Sequence, residues 1–278
     1  MKETARGATA LTTHIVLVLF SILMIFPVFV VLLDSLKSQR ELYMNPWGFP
    51  RVARLSNYVQ AWSIGKIGDY YLNSIIVALG SLVLIISIVY LAAYALARFR
   101  FRGRDLILIL FVSTMMLPIQ VTIIPIYKIE NALHINDSLL GLILPYVAKA
   151  LPFSIFILIA FLKTLPKEFD EAARIDGAGR FTILSRIIVP LSKPGFATIV
   201  ILNFMSIWND FYLPLVLIHD PTKRTLNLGL VNFSQLWGLQ DYTRLFAALA
   251  IISVPLIAVY IIFQKQFISG LTSGGLRA

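Results

Sequence analysis

Apolar residues do not alternate along this chain; they run. Six stretches hold the roughly 20 predominantly apolar residues that carry a helix across about 30 Å of hydrocarbon: 11–33, 71–97, 106–127, 138–162, 196–218 and 245–267. The pattern predicts an all-α integral membrane protein, one transmembrane domain over 1–278 with no soluble domain. The first stretch is too long for a signal-peptide core and has no small-residue cleavage site after Asp34, so it reads as a retained anchor. Prolines punctuate the runs: Pro118 and Pro125 in the third, Pro145 and Pro152 in the fourth, Pro214 in the fifth and Pro255 in the sixth. Each removes a backbone donor and predicts a kink, which serves either irregular packing or the lining of a pathway.

One polar island interrupts the pattern. Residues 163–194 lie between the fourth and fifth stretches and contain Glu171-Ala172-Ala173-Arg174-Ile175-Asp176-Gly177-Ala178. Pro166 suits a first helical turn, and Glu168, Asp170 and Glu171 favour the positive end of the macrodipole. Ala172 and Ala173 allow close approach of another surface, and Gly177 stops the helix by taking the left-handed conformation. A second amphipathic stretch, Arg180–Ile188, carries Phe181, Leu184 and Ile187/Ile188 at helical spacing, and Pro190 and Pro194 redirect the chain into the fifth stretch. Such a hairpin could rest on lipid headgroups, but its four carboxylates fit an aqueous protein dock better.

Charge orients the picture. The chain is 58% hydrophobic and 14% charged, with a formal charge of +10. The basic residues flank apolar runs instead of forming a nucleic-acid face, so no nucleic acid is expected as a partner. Arg98, Arg100, Arg102 and Arg104 crowd one short link, and Lys163, Lys167, Arg174, Arg180, Arg186 and Lys193 lie in the island. The positive-inside rule therefore places both links and both termini in the cytoplasm. There is no cysteine, hence no thiolate metal site or thiol nucleophile. No Gly-Lys-Ser/Thr phosphate loop, His-Glu-x-x-His or Gly-x-Ser-x-Gly occurs. The three histidines, His14, His134 and His219, are far apart. Neither an enzyme nor a metal or cofactor on this chain is expected. Polar residues inside the runs are costly and so point to a task. They are Gln120, Lys149, Asn203, Asn209 and Asp210, with Trp208 beside the last two. They supply the amide, carboxylate and aromatic groups that sugars require, or else they cap kinked helix backbone.

Glu171, Ala172, Ala173, Gly177, Ile187 and Pro190 stand at the spacing of the EAA motif, and the island resembles that motif of ABC-importer membrane subunits; Val189 occupies a position more often Leu. Further stretches resemble the carbohydrate branch, the maltose-transporter type of second permease, in order along nearly the whole chain. They are Ser35-Leu36-Lys37, Asn45-Pro46-Trp47-Gly48, Tyr71-Leu72-Asn73-Ser74, Ala93-Tyr94-Ala95-Leu96-Ala97-Arg98, Gly141-Leu142-Ile143-Leu144-Pro145, Trp208-Asn209-Asp210 and Gly270-Leu271-Thr272-Ser273-Gly274-Gly275. The resemblance implies a subunit of the prokaryotic cytoplasmic membrane that pairs with a second, homologous permease. It implies two ATPase subunits, which would hold the ATP and Mg, and an extracytoplasmic solute-binding protein that delivers a sugar or oligosaccharide. Glu171, Ala172, Ala173, Asp176, Gly177, Ala178, Ile187 and Pro190 would couple ATP hydrolysis to the spans, and Gly270, Leu271, Thr272, Ser273 and Gly274 would reach toward the ATPase pair. An ABC permease for a non-sugar solute such as glycerol phosphate is the alternative. A stand-alone secondary transporter is a further one, but it would need no cytoplasmic dock.

Overall fold

A computed structural model describes residues 2–236 and 241–275, with side chains over 11–231 and 241–266. The described residues are helical throughout their regular structure. In chain order the helices are α1 (Lys2–Ser35), α2 (Gln39–Met44), α3 (Ser56–Ser63), α4 (Ile67–Arg98), α5 (Arg104–Thr114), α6 (Ile119–Ala132) and α7 (Leu139–Thr164). There follow α8 (Glu168–Ile175), α9 (Arg180–Ile183), a π-helical turn (Leu184–Ile188), α10 (Val189–Leu191), α11 (Lys193–Trp208), α12 (Tyr212–Leu217), α13 (Leu226–Leu236) and α14 (Tyr242–Gly275).

Among the described residues four helices are long and apolar enough to cross a membrane: α1 over Leu11–Ser35, α4, α7, and α14 over Tyr242–Gln266. The number rises to six if each of two sharply bent helix pairs forms one span. The third and fifth apolar runs, where prolines predict kinks, are broken outright. Residues 106–127 fall on α5 and α6, which meet at 104°. Pro118, extended at ψ 135°, has no N–H to carry the ladder on, and it biases Leu117 away from helical backbone. Residues 196–218 are split at Asn209 into α11 and the short α12. By contrast Pro145 and Pro152 sit inside one continuous α7, and Pro255 inside α14, so these three do not interrupt their helices. The backbone of α14 stays helical through Gly270–Gly274; Leu276, Arg277 and Ala278 lie outside the described residues.

Two compact units are distinguishable, residues 1–68 with 229–254, and residues 69–228 with 255–278. In the first, the chain after α1 folds back over the end of that helix. Trp47 stacks on Phe26 at 6.1 Å between centroids, and Phe49 meets Phe29 edge-on at 6.3 Å. Beneath them Lys37, 0% exposed, donates to Asp34 Oδ1 at 2.7 Å, Pro46 O at 2.9 Å and Asn45 O at 3.1 Å. All three ammonium donors are thereby used, which is the condition for burying such a charge. Asn57 Nδ2 closes the knot by donating to the carbonyls of Ser35 and Lys37.

In the second unit α4, α7 and α11 together supply most of the core. Asn203 Nδ2 bridges them, donating to Ser154 Oγ at 2.9 Å and to Ile199 O at 2.8 Å. The turn before α7 is fastened to the segment after α12: Asp137 Oδ1 accepts from the N–H of His219 at 2.9 Å and of Asp220 at 3.0 Å. The Asp220 and His219 donors hold the Asp137 carboxyl below its ordinary range, against desolvation that pushes it up. A depressed folded-state value contributes stability above the unfolded value near pH 4 and loses it as pH falls through the folded value. Thermal melting of the purified chain should therefore fall on acidification below about pH 4, and less so in Asp137→Asn.

Candidate functional site

The polar island builds a site from α8 onward. Pro166 stands just outside α8, with Lys167 at the N-cap, instead of in the first turn. The helix ends as its residues dictate. Gly177 takes φ +80°, Gly177 N–H donates to Arg174 O at 3.0 Å, and Ala178 N–H to Ala173 O at 2.9 Å. That bond pair is a Schellman close, in which the left-handed residue satisfies carbonyls the helix would leave bare. The inner face of α8 buries Asp170 and Ala173, and the outer face presents Glu171, Ala172 and Ile175, the last 87% exposed. Phe169 and Phe181 are also exposed. Apolar side chains set outward beside charges are the composition of a docking patch.

Beyond the glycine turn the chain re-enters helix at Arg180, widens into the π turn, and resumes at Val189. Pro190 is the physical cause we assign to the widening, since its ring would collide with the carbonyl four residues earlier in a regular helix. A groove of about 420 Å³ runs between α8 and this second helix, lined by Phe169, Ala172, Ala173, Asp176, Ile187 and Pro190, among others. Five of the expected coupling residues thus share one groove, while Glu171, Gly177 and Ala178 stand outside its lining. At the far end Ser192 makes a 76° elbow into α11. Its hydroxyl, fully buried, donates to Ile188 O at 2.7 Å and pairs with Tyr90 Oη at 2.9 Å.

One arrangement was not anticipated from the sequence. Arg98, the last residue of α4, places Nε 2.8 Å from Asp170 Oδ2, with the two side chains 4% and 6% exposed. Its Nη2 donates to Leu165 O at 3.1 Å. Tyr94, one turn earlier, lies in the field of Asp170, Arg174 and Arg98. Next to it Phe99 meets Tyr94 edge-on at 5.3 Å and receives the Arg180 guanidinium over its ring at 4.7 Å.

The polar residues of the apolar runs are not gathered into one place. Trp208 is only 3% exposed, stacked on Phe204 at 5.3 Å and edge-on to Tyr71 at 5.7 Å, and its carbonyl accepts from Asn227 Nδ2. Asn209 Nδ2 donates back to Met205 O, and Asp210 Oδ1 accepts from Tyr212 N–H at 2.9 Å. The pair therefore ends α11 and starts α12, a capping arrangement. Lys149 differs. It is exposed, has no hydrogen bond or ion pair among the described residues, and lines a cleft of about 310 Å³ with Tyr146, Phe153, Asn203 and Ser206. It also lines a second cleft, of about 530 Å³, with residues of α5 and α6 such as Met115 and Thr122. Gln120 is exposed and lines neither. Among the described residues no group of three or more His, Cys, Asp or Glu could hold a metal ion.

Long apolar helices, with a short exposed helix between two of them, are the architecture of a membrane-embedded subunit. The comparisons make the class specific. Residues 88–273 match the family of binding-protein-dependent transport system inner membrane components, and the chain belongs to that family, the membrane subunits of ABC importers. Among its relatives is the diacetylchitobiose uptake system permease of Streptomyces coelicolor, 37% identical over 270 residues, covering 96% of this chain and 89% of that one. The sulfoquinovosyl glycerol transport system permease of Agrobacterium fabrum is 38% identical, covering 91% and 89% of the two chains. The arabinooligosaccharides transport system permease of Bacillus subtilis is 34% identical, covering 93% and 92%. The fold is shared with a chain in a crystal structure of a bacterial ABC transporter involved in import of the acidic polysaccharide alginate. That likeness has a TM-score of 0.81 at 24% identity, covering 95% of this chain and 98% of the other.

Proposed function

We propose that this chain forms, with a second homologous permease, the membrane pathway of an importer for a sugar or oligosaccharide. A binding protein delivers the solute from outside, and two cytoplasmic ATPase subunits, holding ATP and Mg, power its passage. Both termini and the island lie on the cytoplasmic side. The observation that carries the energetic half of this reading is the outward face of α8: an exposed surface of Ala172 and Ile175 next to Glu171, closed by a glycine turn, on a chain with no nucleotide loop of its own. A rigid helix presented this way suits insertion into a surface cleft of another protein. The saccharide half is supported by the transport names of the relatives.

Lys149 and the polar rim of its cleft, Tyr146, Asn203 and Ser206, are the groups we place nearest the solute. Trp208, Asn209 and Asp210 also serve the break between α11 and α12. In proteoliposomes holding the chain with its partner permease, ATPases and binding protein, radiolabelled chito-, arabino- and gluco-oligosaccharides should enter on ATP addition. Uptake of glycerol phosphate alone would overturn the saccharide reading; uptake without ATP would overturn the coupling.

A further inference from the structure

We propose that one face of α4, carrying Tyr90, Tyr94 and Arg98, is the strut through which movement of α8 is delivered to the membrane-spanning helices. The proposal rests on the reading of α8 as the ATPase dock and adds the part of the chain that receives the motion. Residues 90, 94 and 98 follow the four-residue spacing that aligns side chains on one side of a helix, over about 12 Å of its length. Each bears on a different part of the cytoplasmic segment, Tyr94 through its neighbour Phe99. Arg98 holds its beginning through Leu165 O and its first helical turn through Asp170. Phe99, packed edge-on against Tyr94, carries Arg180 beyond the glycine turn. Tyr90 holds Ser192 at the elbow where the segment ends.

The chain enters and leaves the island through joints that depart from regular helix. Leu165 leaves α7 with extended backbone at ψ 129°, and the π turn and the elbow at Ser192 precede α11. A push on α8 would be absorbed at such joints. The Arg98–Asp170 contact cannot yield in that way, because separating it strands a buried charge on each side. Rigid-body transmission therefore runs through α4.

The test uses the complete importer in proteoliposomes. Arg98→Met and Asp170→Asn should leave both ATPase subunits bound, with hydrolysis retained, while solute carried per ATP falls at least tenfold. The charge-reversed double variant, Arg98→Asp with Asp170→Arg, should recover most of that ratio. This chain has no cysteine, so with cysteine-free partner subunits an introduced pair is labelled uniquely: spin labels at the exposed positions Arg100 and Lys167 should keep one separation with and without trapped nucleotide, and lose that constancy in Asp170→Asn. Should Arg98→Met fold poorly, Asp170→Asn carries the same readouts. Unchanged transport per ATP in Asp170→Asn, or singles no worse than the double, would overturn the strut. Loss of ATPase binding in the α4 variants would also overturn it. If instead Gly177 and Ala172 variants retained every coupling property, the dock itself would be misplaced, a separate failure.

Discussion

Gly177→Val should abolish transport while leaving the chain folded. At φ +80° a β-branched side chain is strained, but nothing lies within 4 Å of the place its Cβ would occupy. The internal cost is the backbone term alone, about 1–2 kcal/mol, too little to unfold a membrane protein held by helices as long as these. Outside the chain the change is larger. The new isopropyl group projects from the end of α8 onto the surface that, on the proposed reading, meets the ATPase. Solute uptake and binding-protein stimulation of hydrolysis should both drop at least about tenfold, equivalent to about 1.4 kcal/mol of docking free energy. Gly177→Asn, which tolerates the left-handed region, should lie between Val and the parent. Parental uptake by the Val variant, at normal membrane abundance, would exclude α8 as the dock.

Lys37→Met should be the most destabilising single change in the first unit. It deletes an ammonium that satisfies three oxygens and leaves Asp34 buried with its counter-charge gone. Breaking a buried pair in this way costs about 3–5 kcal/mol, whereas replacing both partners with apolar groups is often close to neutral. The two cases separate cleanly by experiment. Thermal unfolding of the detergent-solubilised chain should show a large loss for Lys37→Met and a much smaller one for Asp34→Leu with Lys37→Met. Equal losses in the single and the double would mean that packing under Trp47 and Phe49, not charge compensation, holds the knot.

Residues whose role depends on local backbone were legible in the sequence. Gly177 stops α8 because glycine alone enters the left-handed region cheaply, and Ala172 and Ala173 sit in a helix with acidic residues in its first turn, as composition requires. The helical class and the membrane runs follow from the length of apolar segments. Pairings distant in sequence were not legible. Arg98 reads as one of four arginines that set topology, and nothing in its neighbourhood names Asp170 as its partner. The one available signal was periodic, the spacing of Tyr90, Tyr94 and Arg98. Lys37 reads as a loop charge on the outer side, and only the return of Trp47 and Phe49 onto α1 encloses it. Trp208-Asn209-Asp210 carried two meanings, because the side chains that bind a sugar hydroxyl also bind a bare backbone group; the bonds to Met205 O and Tyr212 N–H favour the second.

The two sides of α8 answer to different neighbours. Glu171, Ala172 and Ile175 face outward, whereas Asp170 and Ala173 are turned inward, Asp170 to Arg98 of this chain's own α4. If the ATPase docks as proposed, substitutions on the outer side are judged by the sequence of that partner, and those at position 170 by residue 98. The eight residues of α8 would then answer to two lines of descent, and a homologous helix transplanted in their place would have to bring its own partner for position 98.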